Sequence, residues 1–239
     1  MKKVLFICLI PFGLFLVWLG IVAAIFLFSR PQATHGDTID RAGNPNRAII
    51  IIDLYNFMTC GNSGIVNFLV DQKRADLVIE TSNEAIDYLR KAGGSTVFIY
   101  NAFEKWTPKS IVIPEIPVKG SFNAQIDARL HKITGDPEFN KPSQDAFSNP
   151  DLQKYLGRCK IGTLFLTGTM AGGCVYMTAW GAINRGYTVY IIDEALYFSD
   201  PTKKEELFLK YENIGAKVIK VKDLPSILKD GTFMRPPCF

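Results

Sequence analysis

The chain has 239 residues, a net charge of +4, 48% hydrophobic residues and 21% charged residues. That balance argues against a disordered chain. Its Lys and Arg are scattered, with no basic stripe interleaved with aromatics, which argues against a nucleic-acid surface.

In chain order, the first feature is the uncharged run from Val4 to Phe28, "VLFICLIPFGLFLVWLGIVAAIFLF". As a helix it is about 37 Å long, enough to cross a hydrocarbon core of about 30 Å with some tilt. A secretory signal peptide has a shorter apolar stretch and a small-residue cleavage site, and "FLFSRPQATHG" offers a poor one. Residues 1–29 are therefore expected to form an uncleaved membrane anchor, one transmembrane helix kinked early by Pro11. Lys2, Lys3 and the amino terminus precede the span. Arg30 follows it directly, with Asp37 and Asp40 beyond. The positive-inside rule then puts the N-terminus in the cytoplasm and the domain outside, in the periplasm of a bacterial cell. Residues 30–46, rich in Gly, Pro, Asn and Asp, read as a linker. Residues 47–239 are long enough to bury the core of one α/β domain.

After the linker, β-branched runs alternate with helical patterns. "RAIIIIDL" (Arg47 to Leu54) has the composition of a buried parallel strand. Ala75 to Gly94 is predicted as a helix, with Leu77, Ile86 and Leu89 on one face and Gly93 at the C′ position. Strands are predicted at Ser95 to Phe103, Ile161 to Gly168, Tyr187 to Ala195 and Ala216 to Val221. Helices are predicted at Pro150 to Lys160, Cys174 to Arg185 and Thr202 to Gly215. Glu104 to Asn140, with four prolines, reads as a long loop. The alternation predicts a mainly parallel sheet with helices on both faces, a three-layer Rossmann-like architecture.

The five cysteines (Cys8, Cys60, Cys159, Cys174, Cys238) show no CxxC pair, no zinc-ligand spacing and no disulfide framework. The two histidines, His35 and His131, are too few for a histidine cluster. In parallel α/β sheets, ligands bind beyond the carboxyl ends of the strands. Asp53 ends the first predicted strand there, Asp193 ends another, and Cys174 follows "IGTLFLTG" through a Gly-rich turn. A cysteine entering a helix faces unpaired N–H groups and the positive end of the helix dipole, which favour thiolate. Each residue also has a simpler role. Asp53 can cap a turn, Cys174 can pack as a small apolar side chain, and Lys141 can be a solvated surface charge.

The ordered blocks "AIIIIDLYNF", "KPSQDAFSNPDLQKYL", "GTMAGGCVYMTA" and "GAINRGYTVYIIDEA" together resemble the isochorismatase-like cysteine hydrolases, which include nicotinamidases and carbamoyl-amide hydrolases. The resemblance spans Arg47 to about Val221. It implies that the family's catalytic Asp, Lys and Cys fall on Asp53, Lys141 and Cys174. Cys174 would attack a carbonyl, Asp53 would move its proton, and Lys141 would hold the thiolate. It also implies a cis peptide at Thr169–Met170, with N–H groups of that turn and of Cys174 forming an oxyanion hole.

Some positions depart from the family pattern. Tyr55 stands where a Gln is common, Ala171, Gly172 and Gly173 replace Thr, Asp and a bulky residue, and Pro150 replaces a Thr. Tyr55, Phe57 and Trp106 are candidates to line the substrate pocket. Neither His35 nor His131 has a partner histidine nearby, so no catalytic metal and no other cofactor is expected. Two functions fit this reading. One is a membrane-anchored hydrolase of a small amide or related carbonyl compound. The other is a catalytically reduced domain serving as a binding or assembly module at the membrane surface. The expected partners are a small-molecule substrate, the membrane through residues 4–28, and a second copy of the chain or a membrane complex.

Overall fold

The computed structural model describes residues 18, 32–60, 71–107, 110 and 115–229. The run 4–28, apart from residue 18, lies outside them. Among the described residues no helix is long and apolar enough to cross a membrane.

Six parallel strands form one sheet among the described residues, in the order β3-β2-β1-β4-β5-β6. They are β1 (Asn46–Ile52), β2 (Ser95–Tyr100), β3 (Glu138–Asn140), β4 (Ile161–Gly168), β5 (Thr188–Leu196) and β6 (Lys217–Ile219). The helices are α1 (Asn56–Thr59), α2 (Gln72–Lys91), α3 (Pro150–Arg158), α4 (Tyr176–Asn184), α5 (Lys204–Asn213) and α6 (Leu224–Lys229). The four isoleucines of β1 run through the centre of the sheet, paired on one side with β2 and on the other with β4. Alternate residues face opposite layers. Ile50 and Ile52 pack with Leu152 and Leu156 of α3, Ala179 and Ala182 of α4 and Tyr211 of α5. Ile49 and Ile51 pack with Val78, Ile86 and Leu89 of α2 and Leu224 and Leu228 of α6. A fully buried Ile or Leu stabilises by about 1.5–3 kcal/mol relative to exposure, so a strand apolar on both faces is specified only between two helical layers.

Helix α2 begins three residues before the predicted start, because the Asp71 side chain caps it by accepting from the Arg74 N–H. Gly93 follows its C-cap with φ +78°. The predicted face of this helix needs correction. Leu77 is 56% exposed, whereas Ile86 and Leu89 are fully buried. Nine residues at about 100° each turn Leu77 roughly half a circle from Ile86, so the buried stripe runs through Val78, Ile79, Ala85, Ile86 and Leu89.

Strand β3 lies inside the segment predicted as loop. Its three residues are too few to carry a period, and it exists by pairing with β2. Asp193 lies within β5 and does not end it; the side chain forms an ion pair with Lys204. Cys174 belongs to a π-helical turn, Ala171–Val175, that precedes α4. Cys60 and Cys174 are free thiols, while Cys159 is disulfide-bonded. Sequence spacing does not reveal that bridge, because pairing depends on proximity in space.

Candidate active site

The strand order reverses at β1. The chain leaves β1 toward β2 and β3 on one side, then returns to β4 on the other. In such sheets ligands bind beyond the carboxyl ends of the strands at this switch point, here β1 and β4. Asp53 is the first residue past β1 and has φ +55°, a left-handed conformation for which Asp is better suited than most residues. Its N–H donates to the Ile99 carbonyl at 2.9 Å.

Gly168 ends β4 beside it, with φ +123°. A Cβ there would lie 1.9 Å from the Ile52 carbonyl oxygen, so only glycine lets the two strand ends approach. Thr169 then locks onto β1. Its N–H donates to the Ile52 carbonyl at 2.9 Å and its hydroxyl to the Asp53 carbonyl at 3.0 Å. The Thr169–Met170 peptide bond is cis. The π-helical turn follows, with the Val175 N–H donating to the Met170 carbonyl at 3.4 Å.

Lys141 arrives from the end of β3. Its N–H donates to the Tyr100 carbonyl at 2.9 Å, and its carbonyl accepts from Asn101 Nδ2 at 2.6 Å. Asn140, just before it, exchanges hydrogen bonds with both backbone groups of Ala102. The ammonium lies 3.0 Å from Asp53 Oδ2 and 3.2 Å from Cys174 Sγ. It also donates to the Ser143 carbonyl at 3.3 Å. Lys141 is thus a buried bridge between the carboxylate and the thiol. Asp53 Oδ1 is buried, and a side-chain hydrogen bond with Cys174 favours the carboxylate.

Burial raises the Asp53 carboxyl above its ordinary value, with the Lys141 charge opposing. Burial alone would push the Lys141 ammonium down, but the Asp53 charge and the Cys174 sulfur outweigh it and hold it up. Burial and then the Asp53 charge push the Cys174 thiol up to about 12, against the pull of Lys141. This reverses the expectation from the helix N-terminus. Burial thus opposes the charged forms of both Asp53 and Cys174, while Lys141 is held as the ammonium.

Tyr55 is buried at the edge of the same site. Burial, then the Asp53 and Cys174 charges, raise its hydroxyl well above the ordinary value. Phe57 stacks on it, with ring centroids 6.3 Å apart. Trp106 is not brought in. It is 85% exposed and lines a separate cavity with Lys105, Ile116 and Lys119.

The isochorismatase domain family matches residues 47–223. The chain belongs to the isochorismatase family. This family member is 36% identical over 76 residues to N-carbamoylsarcosine amidase from an Arthrobacter species. That stretch is 32% of this chain and spans only 29% of the amidase's length. Among solved structures, the isochorismatase-like hydrolase from Alkaliphilus metalliredigens is similar with a TM-score of 0.63 and 22% identity, covering 76% of this chain and 98% of that one. Nicotinamidase from Bacillus subtilis is similar with a TM-score of 0.62 and 25% identity, covering 73% of this chain and 99% of that one.

Among the described residues of this isochorismatase-family chain, no three His, Cys, Asp or Glu side chains are grouped to hold a metal ion. Sequence reading missed Asn101, Asn140 and Asp145, which place the Lys141 loop. For Asn101 the signal was available in "IYNAF", where an Asn directly follows an apolar strand.

Proposed function

We propose that the chain is a cysteine hydrolase that cleaves a small amide or related carbonyl C–N bond through a thioester on Cys174. The observation that carries this reading is the Lys141 ammonium seated within 3.2 Å of the Cys174 sulfur and 3.0 Å of the Asp53 carboxylate. A neutral thiol beside a carboxylate with raised proton affinity is poised for transfer at the moment of attack. The Cys174 proton passes to Asp53 as sulfur bonds to the substrate carbonyl carbon. Lys141 offsets the charge, and the N–H groups of Met170 and Cys174 would meet the developing oxyanion, the Thr169 N–H being held by the Ile52 carbonyl. Asp53 returns the proton to the departing amine as the C–N bond breaks. Water then gives a proton to Asp53 and its hydroxyl to the thioester carbon; the C–S bond breaks, and Asp53 returns the proton to the Cys174 sulfur. The products are a carboxylic acid and an amine. Tyr55 and Phe57 would flank the substrate.

The amidase relative and the nicotinamidase structure support an amide as the substrate class. The test is to incubate the protein with a panel of small primary amides and N-carbamoyl compounds, then search intact Cys174 for an acyl adduct by mass spectrometry. An adduct that disappears in Cys174→Ser is the expected result. Absence of adduct and of turnover across the panel would favour the binding-module reading.

The same proposal places the domain outside the cytoplasm on a single membrane-spanning helix at residues 4–28. Support comes from the uncharged length of that run, its flanking charges, and the Cys159 disulfide, which an oxidising compartment maintains. N-terminal sequencing of protein from the membrane fraction should read residues before Ser29. A start near Thr34 in the soluble fraction would refute it.

A further inference from the structure

Thr34 to Arg41, within the segment read as a linker, has no regular secondary structure and is bonded to the domain along its length. Thr34 donates both its N–H (2.7 Å) and its hydroxyl (2.6 Å) to one oxygen, Asp145 Oδ2. Its carbonyl accepts from Asn184 Nδ2 at 3.1 Å and Arg185 Nη1 at 3.0 Å. The next carbonyl, of His35, accepts from Arg185 Nη2 at 2.9 Å. Gln153 Nε2 donates to the Asp37 carbonyl at 3.0 Å, and the Ile39 N–H to the Arg185 carbonyl at 2.8 Å. Arg41 Nε closes the strap on the Gly186 carbonyl at 2.6 Å. At Gly36 a Cβ would come within 2.7 Å of Arg185 Nε and Gln153 Oε1, so a side chain there would force the strap away from the residues that hold it.

The receiving residues belong to the site's scaffold. Asp145 is 1% exposed and lies four residues after Lys141, in the loop that carries it. Besides Thr34, its carboxylate accepts from the Phe147 N–H at 2.9 Å. The next N–H, of Ala146, donates to Thr178 Oγ1 of α4 at 3.0 Å. Gly181 of α4 has no room for a side chain, since a Cβ would lie 2.2 Å from Asp145 Oδ2. Arg185, buried at the end of α4, lies over the Phe147 ring at 4.6 Å and donates to the Gly181 carbonyl at 2.9 Å. The carboxylate therefore sits where three segments meet: the strap, the Lys141 loop and the helix that follows Cys174.

We propose that Thr34 and Asp145 are positioning residues for the candidate active site, through which the Thr34–Arg41 strap holds the Lys141 loop against α4. The proposal rests on the reading of Lys141 as the group that controls the Cys174 thiol. Without the Thr34 hydroxyl, a buried carboxylate loses a charge-assisted hydrogen bond and must take up a proton or turn toward water. Burial already raises this carboxyl, and the Thr34 hydroxyl and N–H are the largest opposing influences, ahead of Phe147 and the Arg185 charge. Either response moves residues 145–148, and with them the Lys141 ammonium relative to sulfur.

The test uses the full chain and needs no substrate. Cys174 alkylation by iodoacetamide is followed against pH by peptide-resolved mass spectrometry, which separates it from Cys60. Thr34→Val removes the hydroxyl and keeps the shape; Thr34→Ser keeps the hydroxyl; Gly36→Val dislodges the strap by a second route. With Lys141 displaced, its pull toward thiolate weakens. The Thr34→Val and Gly36→Val curves should shift to higher pH, with alkylation at pH 9 slowed by about threefold or more. Thr34→Ser should restore the wild-type curve. Variants that lower Tm but leave the alkylation curve unchanged would overturn the proposal. Lys141→Met is the control. If it fails to shift the curve, the hydrolase reading falls. If it shifts the curve and Thr34→Val does not, the strap proposal alone falls.

Discussion

Lys141 Nζ lies 3.0 Å from Asp53 Oδ2, with the lysine side chain 2% exposed and the aspartate 6%. Each group of so close a buried pair favours the charged form of the other, and removing one strands its partner at a penalty of about 3–5 kcal/mol. Lys141→Met and Asp53→Asn should each lower stability in urea unfolding and abolish turnover. The double variant should recover much of the stability and none of the activity. Strictly additive losses in the double-mutant cycle would show that the pair is not coupled.

The thiol itself carries a pH prediction. With Cys174 pushed up to about 12, its alkylation should climb about tenfold per pH unit from pH 7 to 10 without a plateau. Asp53→Asn should speed alkylation by removing a like charge, and Lys141→Met should slow it. A plateau below pH 9 would mean that the turn favours thiolate more strongly than burial opposes it.

Away from the site, Arg129 grips Asp127 through Nη2 at 2.7 Å and Nε at 3.0 Å. Burial pushes the Asp127 carboxyl up, but the Arg129 hydrogen bonds prevail and hold it below its ordinary value. A depressed folded-state value stabilises above the unfolded-state pKa of about 3.9 and is lost as pH falls through the folded value. Asp127→Asn should cost about 1 kcal/mol at pH 7, a figure kept low because Arg129 is 45% exposed and screened by solvent. In thermal melts the deficit should shrink as pH falls from 7 into the acid range; a deficit that does not change with pH would contradict the ion-pair account.

Gly168→Ala tests the closest approach in the sheet. The new Cβ would meet the Ile52 carbonyl at 1.9 Å in a backbone region with φ +123°. The β1 and β4 ends must separate, for a loss of about 3 kcal/mol or more. Gly157→Ala in α3, where a Cβ meets nothing within 4 Å among the described residues, should instead be neutral or stabilising by up to about 1 kcal/mol. Comparable chemical-denaturation midpoints for the two variants would refute this assignment.

Much of the fold is legible in the chain because its signals are local. The isoleucine run of β1, the glycine stops at Gly93 and Gly186, and the order of strand and helix patterns place Asp53 and the Cys174 turn at one edge of the sheet. The face of α2 was also locally encoded, and Leu77 fails only because nine residues do not return a helix to the same side. Strand β3 is different. "EFN" has no period of its own and becomes a strand by pairing with β2.

The chain by itself determined the three-layer sheet and the place of Asp53 and the Cys174 turn at its carboxyl edge, since apolar periodicity and turn residues act over a few neighbours. Only the tertiary structure decided that Lys141 is a buried bridge and not a surface charge. It also placed Trp106 in solvent and tied residues 34–41 to the domain. The thiol shows the reason most directly. Position before a helix argues for thiolate, but desolvation and the Asp53 charge argue against it. Both depend on distances through space between residues more than a hundred positions apart in the chain.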